Sequence, residues 1–210
     1  KNEKEVILQR TTKIEIVVVG NNAKQYHLLH EKICINSDDA IERNNKIYIP
    51  FSLDESVLLN KASVILKNGT VIHLDKKDIK EDVDQEKGMK YNYFAVNGLE
   101  KGAVIEKLYV LQESPEFTGS TIKMQDDYPI ADLRFELITP NYLIFKTKSY
   151  NGLSEAVIDD KSIPNTIVLS VSEKNIPALD NNENYSNWNL QLKLFRYKLD
   201  TNLYSGAKNL

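Results

Sequence analysis

Hydrophobic and polar residues alternate in short runs along most of this chain, and a period of two predicts strands rather than helices. In the run that leads into Asn68-Gly69, Ala62, Val64 and Leu66 share one face. Asn-Gly between alternating apolar positions predicts a hairpin through a type I′ turn, with both turn residues at positive φ. Asp75–Lys90 reads as a charged connection with little reason to be buried. Tyr91-Asn-Tyr-Phe-Ala-Val and the run Leu99–Leu111 then follow as a second hairpin, with Gly98–Gly102 as its turn. In that second run Val104, Glu106, Leu108 and Val110 lie on one face and Ala103, Ile105, Lys107, Tyr109 and Leu111 on the other. A strand of this kind is expected to be covered on part of both faces.

The same reading extends in both directions. Glu5–Arg10 holds a short apolar core, Lys13–Val19 places Ile14, Ile16 and Val18 on one face, and Gly20-Asn21-Asn22 turns the chain into a long strand over Gln25–Asn36. Asp38–Asn45 holds one helical turn or an open loop, Pro50 confines Lys46–Ser52 to an edge or an end of a sheet, and Leu53–Leu59 is a further short strand. Beyond Glu113, Leu133, Phe135 and Leu137 point one way while Arg134 and Glu136 point the other, the pattern of a half-buried antiparallel strand. Ser154–Asp159 and Thr166–Val171 continue the meander, Glu173–Asn184 is a polar linker, and Trp188–Leu199 is the last strong strand, with Leu190, Leu192 and Leu194 on one face. Every sequential pair can be antiparallel. The expected fold is all-β, a large antiparallel β-sandwich with many hairpins and little helix, as one domain over residues 1–200 with 201–210 a tail or linker toward a further domain.

Composition narrows the partners. With 27 Lys+Arg against 30 Asp+Glu the formal charge is −3. The basic residues are spread along the sequence, which argues against a nucleic-acid partner. No apolar run approaches the roughly 18–20 residues of a membrane helix. A chain of 210 residues buries enough surface to fold without a metal or disulfide staple. It begins at Lys1, as expected of a processed or trimmed protein.

Candidate chemistry is sparse. Cys34 and His30 are four residues apart, about 13 Å along a strand, too far for a thiolate–imidazole pair. His27, His30 and His73 show no zinc spacing. The pairs Asp38-Asp39, Asp126-Asp127 and Asp159-Asp160 read as turn formers. Gly98–Gly102 lacks the context of a phosphate loop, and Gly-x-Ser-x-Gly is absent. No catalytic, cofactor-binding or metal position is assigned. Among Tyr48, Tyr91, Tyr93, Tyr109, Tyr128, Tyr185 and Trp188, which either pack in the sheets or form a stacking platform for sugar, Tyr91, Tyr93 and Trp188 are the candidate ligand contacts.

Several stretches carry a resemblance in their order along the chain: Glu5-Val-Ile-Leu-Gln-Arg, His30-Glu-Lys-Ile-Cys-Ile, Asn60-Lys-Ala-Ser-Val-Ile-Leu-Lys-Asn-Gly-Thr-Val, the Tyr91–Glu106 unit, Tyr128-Pro129 and Asn175-Ile-Pro-Ala-Leu. Together they resemble the domain of unknown function that precedes transglutaminase-like domains in secreted proteins of Gram-negative bacteria. The resemblance implies a large β-sandwich in the periplasm or on the cell surface, beside a papain-like Cys-His-Asp domain whose catalytic residues have no counterpart here. The leading expectation is a non-catalytic accessory domain of a transglutaminase-like, peptidase-type envelope protein. The alternatives are a free-standing module for a cell-surface glycan or protein, and an enzyme built on the sandwich with a carboxylate pair.

Overall fold

The first two strands are the longest, and they form the centre of the principal sheet. β1 (Glu5–Val19) and β2 (Asn22–Ile35) pair antiparallel across a two-residue turn. Gly20 occupies the first turn position with φ 60°, where a side chain is disfavoured. The two short strands expected on either side of Arg10 are one strand with a bulge, because the register shifts between Ile7 and Gln9. That extra residue lets odd-numbered Ile7 and even-numbered Ile14 reach the same core cluster, with Ile16 buried two residues further on.

The computed structural model describes residues 3–52, 55–84, 89–96, 98–179 and 191–208. It is all-β apart from the helix α1 (Asp38–Arg43) and a 3₁₀ turn at Lys76–Asp78. Ser37 Oγ accepts from the Ala40 N–H at the start of α1, and Glu5 accepts from Arg43 and Asn44 at its end. Further strands are β3 (Lys46–Ser52), β4 (Ser56–Ile65), β5 (Val71–His73), β6 (Lys80–Asp84), β7 (Met89–Ala95) and β8 (Val104–Glu113). They are followed by β9 (Ser120–Lys123), β10 (Ile130–Pro140), β11 (Leu143–Tyr150), β12 (Val157–Asp159) and β13 (Thr166–Ile176). The last two are β14 (Leu194–Asn202) and β15 (Ala207–Lys208), the latter folding back on the end of β14.

Eight strands form one sheet in the order β12-β13-β10-β1-β2-β8-β4-β5. A four-stranded sheet has β14 between β11 on one edge and β9 and β15 on the other, and a three-stranded sheet has the order β3-β7-β6. Ile47 and Phe94 from the three-stranded sheet and Phe195 and Tyr197 from the four-stranded sheet join Ile7, Ile33, Ile105, Leu133 and Phe135 of the large sheet in one buried cluster. Both small sheets thus contribute to a core shared with the large one. Pro50 lies near the end of β3, an edge strand, as its missing N–H requires.

Several expectations are corrected. β1 and β10 run parallel, so the sheet is not wholly antiparallel. Their connection is the whole of β2 to β9, long enough for the crossover that parallel neighbours need. The Asn68-Gly69 hairpin exists, but Leu66 and Thr70 close a three-residue loop and Gly69, at φ 86°, is its one positive-φ residue. This is a type I turn followed by a glycine bulge rather than a type I′ turn. The extra loop residue, Lys67, donates its N–H to Glu100 instead of to the sheet. Open space surrounds a Cβ at Gly69. Gly69→Ala is therefore expected to cost about 1 kcal/mol from backbone conformation alone, measurable by urea denaturation.

The charged connection after Asp75 contains β6, which pairs with β7. The expected second hairpin is instead a corner: β7 and β8 lie in different sheets, and the Gly102 N–H donates to the Ile35 carbonyl between them. Glu173–Ile176 is the end of β13 rather than linker. On β14 the core-facing residues are Phe195 and Tyr197, so Leu194 is out of phase with the expected face. Leu192 is buried ahead of a bend that resets the alternation, and Leu190 lies outside the described residues.

Candidate functional site

The outer face of the three-stranded sheet gathers the expected tyrosines. Along β3, Ile47 and Ile49 are buried, so Tyr48 between them faces out; along β7, buried Asn92 and Phe94 leave Tyr91 and Tyr93 on the opposite face. Tyr48 stands opposite Tyr93 in the register. Its ring lies 5.5 Å from that of Tyr93 and 6.4 Å, edge-on, from that of Tyr91. Lys46 Nζ sits 5.6 Å from the Tyr93 ring centroid, and Tyr48 is 47% exposed. Three rings and a cation on a strand-built surface offer both stacking area and a polar rim.

The other aromatic residues lie elsewhere. Tyr109 points into the core beside His27 and Leu111, and burial pushes its phenol up to about 12. Tyr128 packs under Arg43, whose guanidinium carbon is 4.9 Å from the ring centroid. Trp188 and Tyr185 lie outside the described residues. Tyr91 and Tyr93 are thus brought together, and Tyr48 joins them through strand register, which local sequence does not specify.

A second constellation lies on the inner face of the large sheet. Arg10, Glu31 and Lys107 are directly opposite one another across β1, β2 and β8, all at positions facing the core. Glu31, 2% exposed, accepts from Arg10 Nε at 2.5 Å and pairs with Lys107 Nζ at 2.8 Å, while Arg10 also donates to Asp126 at 2.7 Å. Burial opposes the charge on Arg10, but Glu31 and Asp126 outweigh it and hold its pKa above the usual value. Three rows along, Glu113 accepts from Gln25 at 2.8 Å and lies 3.2 Å from His27 Nδ1. Sequence reading missed this belt. Its signal was present in the parity of Glu31, a charge placed in step with the core residues Ile33 and Ile35.

Burial pushes the Glu113 carboxyl up, yet the bonds from His27 and Gln25 prevail and its pKa is lowered. A carboxyl depressed in the fold stabilises above its unfolded value, about 4.3, and that contribution is lost as the pH falls through the folded value. The melting-temperature difference between the native chain and Glu113→Gln is therefore expected to shrink as the pH drops below about 4.3. An unchanged difference across that range excludes the pairing as the cause.

The remaining candidates separate. Cys34 donates to Asn36 Oδ1 at 3.3 Å, and burial pushes its thiol up, away from thiolate chemistry. His30 instead contacts Glu106 at 2.7 Å, which also pairs with Lys32. Asp38 and Asp39 pair with Lys101 and Lys4, and Asp159 accepts from the turn N–H groups of Lys161 and Ser162. Among the described residues no three His, Cys, Asp or Glu side chains gather as a metal site, and no helix is long and apolar enough to cross a membrane.

Known proteins place this architecture. A "putative protease" of Parabacteroides distasonis shares the fold with a TM-score of 0.79 at 16% identity, over 93% of this chain and 40% of that one. The chain therefore spans less than half of that protein's length. An M1 zinc metallopeptidase of Deinococcus radiodurans aligns more distantly, at TM-score 0.46 and 7% identity over 92% of this chain and 42% of that one. A mutant of that enzyme bound to a Tyr-Ser-Ala substrate gives 0.47 and 8% over 92% and 42%. No curated protein matches the sequence. The pattern of the family described as a domain of unknown function with a solved structure (DUF3857) matches residues 21–180, and the chain belongs to that family.

Proposed function

We propose that this chain is a non-catalytic accessory domain of a transglutaminase-like, peptidase-type protein of the bacterial cell envelope, positioning a catalytic domain or presenting its substrate. The observation that carries the reading is the asymmetry of the fold likeness, which takes in 93% of this chain but 40% of the Parabacteroides protein. Nearly the whole unit recurs there as part of a longer chain. The ordered sequence resemblance supports the transglutaminase-like neighbour and a site of action in the periplasm or at the cell surface. The raised thiol pKa and Asn36 partner of Cys34 are the opposite of what a cysteine nucleophile needs.

The test is to read the gene past the codon for Leu210. An in-frame continuation carrying Cys, then His, then Asp supports the accessory role, and every activity assay moves to the longer polypeptide. An immediate stop codon overturns that role for this chain. The second reading, a binding module for glycan or protein, is favoured by the cluster of exposed Tyr48 with half-buried Tyr91 and Tyr93. It expects Tyr48→Ala to abolish glycan binding; a glycan panel that binds neither variant at millimolar concentration removes the glycan arm.

A further inference from the structure

The outward face of the four-stranded sheet concentrates positive charge in a chain of net charge −3. Lys146 and Lys148 of β11 share this face with Arg196 and Lys198 of β14. Lys146 stands directly opposite Lys198, and Lys148 directly opposite Arg196. Like charges directly opposite each other on antiparallel strands repel, and here the repulsion is offset in part by the Tyr150 ring against Lys148 and Arg196. Asp200 lies 2.5 Å from Lys146 and also attracts Lys198, whereas among the described residues Lys148 and Arg196 make no ion pair. The face borders a depression of about 530 Å³.

Two features select the occupant. Among the described residues β11 pairs with β14 alone, leaving its other edge without a strand partner. An extended polypeptide can add there through main-chain hydrogen bonds. Its alternate side chains then repeat every ~6.8 Å, the same spacing as Lys146 and Lys148 along β11. The aromatic ring in the patch, Tyr150, is already occupied: Lys148 Nζ and Arg196 Cζ lie 5.2 and 5.3 Å from its centroid. Single-stranded nucleic acid needs an open aromatic face on which to stack its bases, so a peptide fits better.

We propose that this face binds an extended acidic segment of a partner polypeptide, added along β11 with carboxylates at alternate positions against Lys146, Lys148, Arg196 and Lys198. This inference goes beyond the accessory role and stands independently of it. The test is fluorescence anisotropy on the 210-residue chain, with a labelled decapeptide alternating Glu and Thr. The probes for comparison are a decapeptide with the same residues in two blocks and a thymidine decanucleotide.

The alternating peptide binds most tightly, and Lys148→Gln with Arg196→Gln weakens it about tenfold or more. The variant's melting temperature stays within a few degrees of the native one, because the like-charge repulsion it removes offsets the two contacts on Tyr150 that it loses. Amide exchange slows along β11 in the complex. Equal binding of the block peptide or the oligonucleotide, full affinity in the double variant, or unchanged exchange on β11 overturns the proposal.

Discussion

Replacing Glu31 with Leu is expected to lower stability by about 3–5 kcal/mol, the largest single loss in the charged belt. Glu31 is almost wholly buried and is the shared acceptor of Arg10 and Lys107. Removing it leaves Lys107 without its buried counterion and Arg10 with Asp126 alone. Desolvation of those cations has already been incurred, so losing the shared carboxylate costs more than one exposed ion pair contributes. The complementary variant is informative. Arg10→Met, Glu31→Leu and Lys107→Met together remove every member of the central triad, and stability is expected to return close to the native value, because an apolar replacement escapes the desolvation cost. Urea denaturation of the single and triple variants checks both parts. A triple variant as unstable as Glu31→Leu shows that the belt contributes net stability rather than specificity.

Phe195→Ala is expected to cost about 3–5 kcal/mol through the cavity it leaves. Phe195 and Phe135 are both buried, with ring centroids 5.0 Å apart, and the pair joins the four-stranded sheet to the large one. Tyr197 adds a second contact, 6.5 Å from Phe195. Loss of the ring therefore loosens the contact between two layers. Amide exchange on β11 and β14 is expected to quicken more than on β1 and β2, whose pairing is made without Phe195. Uniform acceleration over all four strands indicates global destabilisation instead.

Period-two alternation revealed the all-β class and placed Leu133, Phe135 and Leu137 inward, because a strand with one buried face advertises it residue by residue. Features set at long range were not legible. The parallel contact of β1 with β10 joins segments more than a hundred residues apart, and neither segment carries a local mark of its partner. The acidic edge strand β6 lacks an apolar face, and its Val83 is exposed, so its sequence looks like a loop. The Leu190, Leu192 and Leu194 series looked continuous but crosses a bend before β14, where parity resets. For the tyrosine face, Tyr91 and Tyr93 were readable from alternation, whereas Tyr48 reaches them through register between β3 and β7. In the charged belt the parity of Glu31 with Ile33 and Ile35 was readable, but its partners Arg10 and Lys107 are set by register between β1, β2 and β8.

The proposed accessory role is tested most directly by assaying the purified chain alone for peptidase, amidase and transamidation activity. The account predicts no turnover from this unit in any of the three assays. Turnover that persists in Cys34→Ala contradicts it, because catalysis would then reside in this β-sheet unit itself rather than in a neighbouring domain.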